Sequence, residues 1–264
     1  MKRRVFVIIL ALSTFFWTGV FFVKRSWSDH QRSSCQDPRW TIRRIASHPQ
    51  SEYRLPHALL TQLLGITPTT SLYAIDCKEL AKRLLTTEIF EKVHVSRAPP
   101  STLYVSYCLK RPVAQLATVQ NIGIDAQGEI FPLYPFYAPL FLPSFVVPVS
   151  DSSSLTELQE CLRSRKEMKV GLELLSLLQR VCRQHRLHLS TIDLSRSTHE
   201  SFFRREIIVT LSSSKGGLIY LRLNKDLSEI PTVLAQLFPR LNMTKSGTID
   251  LRFTGSALVS EELL

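Results

Sequence analysis

The stretch VFVIILALSTFFWTGVFFV at residues 5–23 contains no charged side chain, with Lys2, Arg3 and Arg4 before it and Lys24 and Arg25 after it. A helix over this run, at ~1.5 Å rise per residue, is about 28 Å long, close to the ~30 Å hydrocarbon core of a bilayer. A cleaved signal peptide has a shorter apolar region and a small-x-small site, whereas this run closes on Phe21, Phe22, Val23 and Lys24. The sequence therefore predicts a retained transmembrane helix over 5–23 with a cytoplasmic N-terminus at 1–4. The bulk of the chain is then exported, an orientation resting on a slight excess of basic charge ahead of the span.

The net charge of +11 over 264 residues reads differently once the span is recognised. Taking the five flanking basic residues from +11 leaves +6 for the rest of the chain. Short basic clusters such as Arg43-Arg44 and Arg204-Arg205 lie far apart and are not interleaved with aromatics, so they read as solvated faces and no nucleic-acid partner is expected. Cys35, Cys77, Cys108, Cys161 and Cys182 are scattered with no C-x-x-C, and their spacing names no disulfide. The spacing Cys182-x-x-His185-x-x-His188 superficially suggests a metal site. A helix turns these positions away from one face, and Leu174, Leu175, Leu178, Val181 and Cys182 form an apolar stripe, so core packing is expected and no metal.

The exported part reads as α+β. Residues 24–38 are a polar linker, and 40–46 a first strand. A helix is expected over 56–64, with Gly65 as its C-cap. A second helix starts at Asp76, with Glu79 three residues on and Leu80, Ala81, Leu84 and Leu85 on one face. Two strands follow, over 88–98 and from Leu103 through Val105, Tyr107 and Leu109, across a Pro99-Pro100-Ser101 turn. Beyond them, Pro-rich 132–148 and Ser-rich 150–154 read as an irregular crossing. Next come an amphipathic helix over 171–186, strands over 187–194, 205–211 and 218–223, a helix N-capped by Ser228, and a last strand over 248–259. Ile249, Leu251 and Phe253 would share one face of that strand. The second domain is thus expected to be mixed α/β with a largely antiparallel sheet.

Several phrases in order along the chain resemble one family. They are Leu64-Gly-Ile-x-x-x-x-Ser-Leu72-x-x-Ile75-Asp76, Ala98-Pro-Pro-Ser-Thr-Leu103, Lys110-Arg-Pro-Val-Ala114, Ile124-Asp-Ala-Gln-Gly128-Glu-Ile-Phe131 and Ile249-Asp-Leu-Arg-Phe253. Following a single N-terminal anchor, this succession resembles the bacterial cell-division proteins FtsQ and DivIB, although residues 134–165 match no piece of it. The resemblance implies a small POTRA-like βααββ domain over 39–111 and a C-terminal β domain over 112–264. It also implies a non-catalytic, single-pass inner-membrane scaffold of the divisome, located at the septum. Its partners would be FtsB- and FtsL-like membrane proteins, bound by β-strand addition to the C-terminal domain. Carried over to this chain, the binding residues are Arg252, Phe253, Gly255, Ala257 and Val259.

The residues themselves agree with a binding role to this extent. The expected last strand has no Pro and few charges, so as an open edge it offers unpaired backbone groups to another chain. Nucleophile elbows, paired carboxylates and phosphate loops are not recognisable in the sequence, and no catalytic residue, cofactor or small-molecule substrate is expected. Two other classes stay open at this level: a POTRA-containing transport or outer-membrane assembly factor, and an anchored periplasmic enzyme.

Overall fold

The computed structural model describes residues 37–67, 69–148, 155–163, 165–199, 201, 204–224, 227, 229–253 and 256–263. The expected span over 5–23, Cys35, the Ser228 cap and Gly255 lie outside the described residues. No helix among the described residues is long and apolar enough to cross a membrane. The protein is α+β with mixed sheets, and it divides into two compact units between Leu109 and Lys110.

In the first unit the elements run β1 (Arg44–Pro49), α1 (His57–Leu64), α2 (Cys77–Leu85), β2 (Phe90–Ala98) and β3 (Thr102–Leu109). The sheet order is β1-β3-β2, with β1 parallel and β2 antiparallel to the central β3. Local chemistry sets the helix ends. Gly65 takes the left-handed conformation at φ 61° and returns its N–H to the carbonyls of Thr61 and Gln62. The Asp76 carboxylate accepts from the N–H groups of Lys78 and Glu79, which fixes the start of α2. Leu60, Leu64 and Leu84 of the helices and Leu103, Val105 and Tyr107 of β3 are all buried. The Leu55 N–H donates to the Tyr107 hydroxyl at 3.1 Å, which satisfies the one polar atom of that ring.

Three expectations shift in this unit. The first strand does not cover 40–46, because Asp37 caps a 3-10 turn over Pro38–Trp40 and Pro38 has no N–H to give a ladder. The chain after it pairs sideways with a loop, Ile42 N–H to the Thr70 carbonyl and Leu72 N–H to the Trp40 carbonyl, before β1 begins. The first of the two paired strands begins at Phe90 rather than 88, since Glu88 sits at φ 62° in the turn that ends α2. Leu85, expected on the buried face of α2, is 43 % exposed.

The second unit is built on a nine-stranded sheet ordered β12-β11-β10-β9-β8-β7-β4-β5-β6. Its strands are β4 (Ala114–Leu116), β5 (Ile122–Ile124), β6 (Ile130–Pro132), β7 (Ser144–Val146), β8 (Leu187–Arg196), β9 (Glu206–Ser213), β10 (Leu218–Leu223), β11 (Gly247–Leu251) and β12 (Leu258–Val259). Two of its parallel pairings, β7 with β8 and β10 with β11, are bridged by helices. The first connection carries α3 (Leu155–Arg163) and α4 (Lys166–His185), and the second carries α5 (Ile230–Leu237). The sheet is mixed because these crossovers bring the chain back parallel to the strand it left, whereas the short connections β8 to β9 and β9 to β10 reverse it.

Apolar residues at alternate positions face the helices. Ile207, Val209 and Leu211 of β9 and Ile219, Leu221 and Leu223 of β10 are buried with Leu174, Leu178 and Leu234 of the helices. The expected stripe of α4 is present, and Arg180, Arg183 and Arg186 stand exposed opposite it. That helix starts at Lys166, earlier than 171. At Gly171 it comes so close to the sheet that an added Cβ would lie 2.6 Å from a Leu194 methyl and 2.9 Å from the Phe145 ring. Gly171→Ala is therefore expected to cost about 2 kcal/mol through overpacking, read as a lower midpoint in urea.

The crossing over 132–148 is less irregular than its prolines suggest, since β7 within it is the strand that joins the two halves of the sheet. α5 has Glu229 at its N-cap position and Pro231 in the first turn. The Ser/Lys/Gly segment after β9 is a hairpin turn, with Gly216 at φ 97°.

Candidate partner-binding edge

The expected last strand over 248–259 is two strands. β11 stops at Leu251, the chain bends, and β12 returns antiparallel with Ile249 opposite Val259 and Asp250 opposite Leu258. Alternation alone cannot show this break. Arg252 causes it, turning back on Asp250 with its backbone N–H at 3.1 Å from Oδ1, Nε at 2.9 Å from the same oxygen and Nη2 at 2.7 Å from Oδ2. Phe253, expected on the face of Ile249 and Leu251, lies beyond the strand end and is 56 % exposed.

Asp250 and Arg252 belong to a wider ladder of charges across four neighbouring strands. Glu206 of β9 accepts from Arg196 of β8 at 2.9 Å and from Arg222 of β10 at 2.6 Å. Arg252 reaches Glu206 at 3.7 Å, and Arg222 reaches Asp250 at the same distance. Register accounts for the alignment, since Arg222 stands opposite both Ile208 and Asp250, on the sheet face away from the helices.

The hydrogen bond from Arg222 is the main reason the Glu206 carboxyl is held below its usual range, against the opposing effect of burial. Burial alone would raise the carboxyl of Asp250, but the Arg252 hydrogen bonds outweigh it and the group titrates low. At neutral pH both stay ionised, and neither is poised to shuttle a proton.

β12 is the outermost strand at this end of the sheet. Its inner side is fixed to β11, and the tail behind it is clamped down: Ser260 N–H donates to the Thr248 carbonyl at 3.0 Å, and Asn242 N–H to the Leu263 carbonyl at 2.8 Å. The Leu263 side chain is fully buried. The strand is thus tied to β11 on its inner side and to the fold behind it.

Beside it lies a cleft of about 310 Å³ between α5 and the β11–β12 bend, with Ile230, Val233 and Leu237 on one wall and Leu251, Phe253 and Ala257 on the other. Glu229 and Arg240 also line it. The Arg252 guanidinium sits 5.8 Å from the centre of the Phe253 ring.

Of the expected binding residues, the structure brings Arg252, Phe253 and Ala257 to this cleft and places Val259 in β12 itself. The α5 wall and the partners Glu206, Arg222 and Arg196 are not among the expected residues. Only the nearness of Asp250 to Arg252 was visible in sequence, because the other contacts cross between strands. The cysteine and histidines of the metal-like spacing separate: Cys182 is buried with its thiol pushed up to about 11 by burial, His185 packs 5.3 Å from the Phe238 ring, and His188 is exposed on β8. Among the described residues no group of three metal-ligating side chains converges. No protein-family model and no curated protein matches this chain.

Proposed function

We propose that this chain is a non-catalytic, single-pass scaffold of the bacterial division machinery, of the FtsQ/DivIB kind, that holds FtsB- and FtsL-like membrane proteins by strand addition. The span over 5–23 anchors it in the inner membrane with its N-terminus in the cytoplasm. A POTRA-like module over 39–111 and a β domain over 112–264 project outward and recruit septal wall synthesis.

One observation carries this reading: among the described residues the outermost strand β12 has no further strand on its outer edge, and it lies beside a cleft lined by both apolar and polar side chains. An incoming strand there gains backbone hydrogen bonds for affinity, and the cleft accepts a side chain for selectivity. The order strand, helix, helix, strand, strand in the first unit, with β3 between β1 and β2, supports the POTRA-like assignment. The quoted sequence phrases support the family.

Depletion of the protein in cells that carry a fluorescent fusion tests the class directly. Septal fluorescence, with filaments on depletion, is the expected outcome. Uniform membrane fluorescence with normal division overturns it, and loss of outer-membrane proteins would point to an assembly factor instead.

A further inference from the structure

From Ile130 to Ser150 the sequence has no charged residue, in a chain where 21% of residues are charged, and the scaffold reading uses none of this stretch. Part of it is core: Phe131, Tyr137, Phe145 and Val147 are buried. The loop between them is a different matter, because Tyr134 is 75 % exposed and Phe141 is as exposed as a side chain can be, at 108 %.

Neither side chain is out because the loop is loose. Asn121 brackets the backbone of Tyr134, accepting its N–H at 2.5 Å and donating to its carbonyl at 3.0 Å. The Tyr137 hydroxyl donates to the Lys110 carbonyl at 2.8 Å. At the far end the loop runs straight into β7 in the middle of the sheet. The loop is pinned at Tyr134, at Tyr137 and where it enters β7, and Phe141 lies fully exposed between the last two. Such exposure marks a surface that meets something apolar.

Phe141 stands at the mouth of a cleft of about 670 Å³ whose walls include Leu142, Leu175, Cys182 and Leu187. Of the described residues lining it, Arg183 is the charged one, His188 is a neighbour, and none is a carboxylate. Arg180 and Arg186 are exposed at the same end of α4. An aromatic tip, an apolar cleft and a cluster of arginines with no acid among the lining residues complement a surface that is oily beneath and negative on top.

We infer that the loop over 134–143 and the basic end of α4 dock on an anionic lipid bilayer. Phe141 enters at the boundary between headgroups and acyl chains, and Tyr134 presents the ring and hydroxyl that suit that depth. Arg183 and its neighbours face the headgroups, where each basic side chain adds to the attraction. Membrane anchoring would keep such a surface in reach at high effective concentration, but the docking does not depend on strand addition at β12.

The test uses the full chain in nanodiscs, one set of phosphatidylcholine and the other of phosphatidylcholine with 30 % phosphatidylglycerol, and reads amide hydrogen exchange over 134–143. Exchange is expected to be about tenfold slower in the anionic discs, and that protection is expected to disappear in both Phe141→Ser and Arg183→Glu. Phe141 is outside the core, so the first variant keeps the fold, and unchanged exchange over β8 and β9 checks this. Equal exchange in the two lipids overturns the inference, as does protection that survives both substitutions. Protection that falls away on diluting the discs, whatever their charge, marks contact between copies of the protein and overturns it too. Loss of β12-dependent partner binding leaves the result untouched, so the two proposals fail separately.

Discussion

Phe253→Lys is expected to weaken binding of the proposed FtsB- or FtsL-like partner at least ~100-fold, while circular dichroism and thermal melting stay unchanged. The separation of effects follows from where the ring sits. It is more than half exposed, so replacing it takes little apolar area from the core, yet it forms one wall of the cleft beside the open strand. Aromatic side chains in such positions commonly dominate binding energy, and the incoming ammonium would be left beside the Arg252 guanidinium when water is excluded. Titration calorimetry with the partner's extracytoplasmic segment measures the loss. Leu85→Lys, on the exposed side of α2 in the first unit, serves as the control and is expected to bind as the unaltered protein does. Full affinity in Phe253→Lys removes the cleft and its strand from the mechanism.

Glu206→Ala is expected to destabilise the second unit. The carboxylate is 7 % exposed and accepts from arginines on two flanking strands, with a third guanidinium nearby, so its removal leaves Arg196, Arg222 and Arg252 facing one another around a vacated centre. Breaking a buried ion pair costs ~3–5 kcal/mol, but these arginines keep contact with solvent, and about 2 kcal/mol is the expected loss. Chemical denaturation of a chain lacking the span, at pH 7, reads it.

The effect has a pH signature. Glu206 and Asp250 both titrate lower in the folded protein than in the unfolded chain, whose reference values are 4.5 and 3.8. Their contribution is therefore complete above those values and is lost as pH falls through the lower folded ones, where the unfolded chain binds protons first. The gap between unaltered protein and Glu206→Ala is expected to be constant from pH 7 to about 5 and to close below about pH 4. A gap that is the same at pH 3 and pH 7 would show that packing, not charge, is what Glu206 supplies.

The parts of this fold that could be read in advance are those whose causes lie within a few residues. Asp76 and Gly65 cap their helices through bonds to neighbours two to four positions away, so sequence spacing alone places the helix ends. Likewise Leu103, Val105, Tyr107 and Leu109 alternate over enough positions for a strand to be recognised, and all four are buried.

Strands β4 to β7 are three residues each, too short for a period of two to declare itself, and in β5 even the glycine between Ile122 and Ile124 is buried. They exist because neighbouring strands supply the ladder. Trp40 erred in the other direction: its surroundings favour a strand by composition, but a proline and an aspartate beside it make a turn.

The candidate site divides along the same line. The edge character of the last segment was legible to the extent that it has no Pro and few charges. The break after Leu251 was not, because the alternation of Ile249, Leu251 and Phe253 continues unbroken through it. What stops the strand is a guanidinium held by Asp250 two residues away and by Glu206 two strands away.

The sequence by itself determined the uncharged run over 5–23, the helix caps and the alternating strands, since each depends on residue type and near spacing. Only the tertiary structure decided that the terminal strand folds back on itself, that four strands align their charges beneath it, and that α5 walls the cleft. Those features arise from side chains far apart in the chain that meet only when the sheet sets their register, and register is a property of the whole sheet.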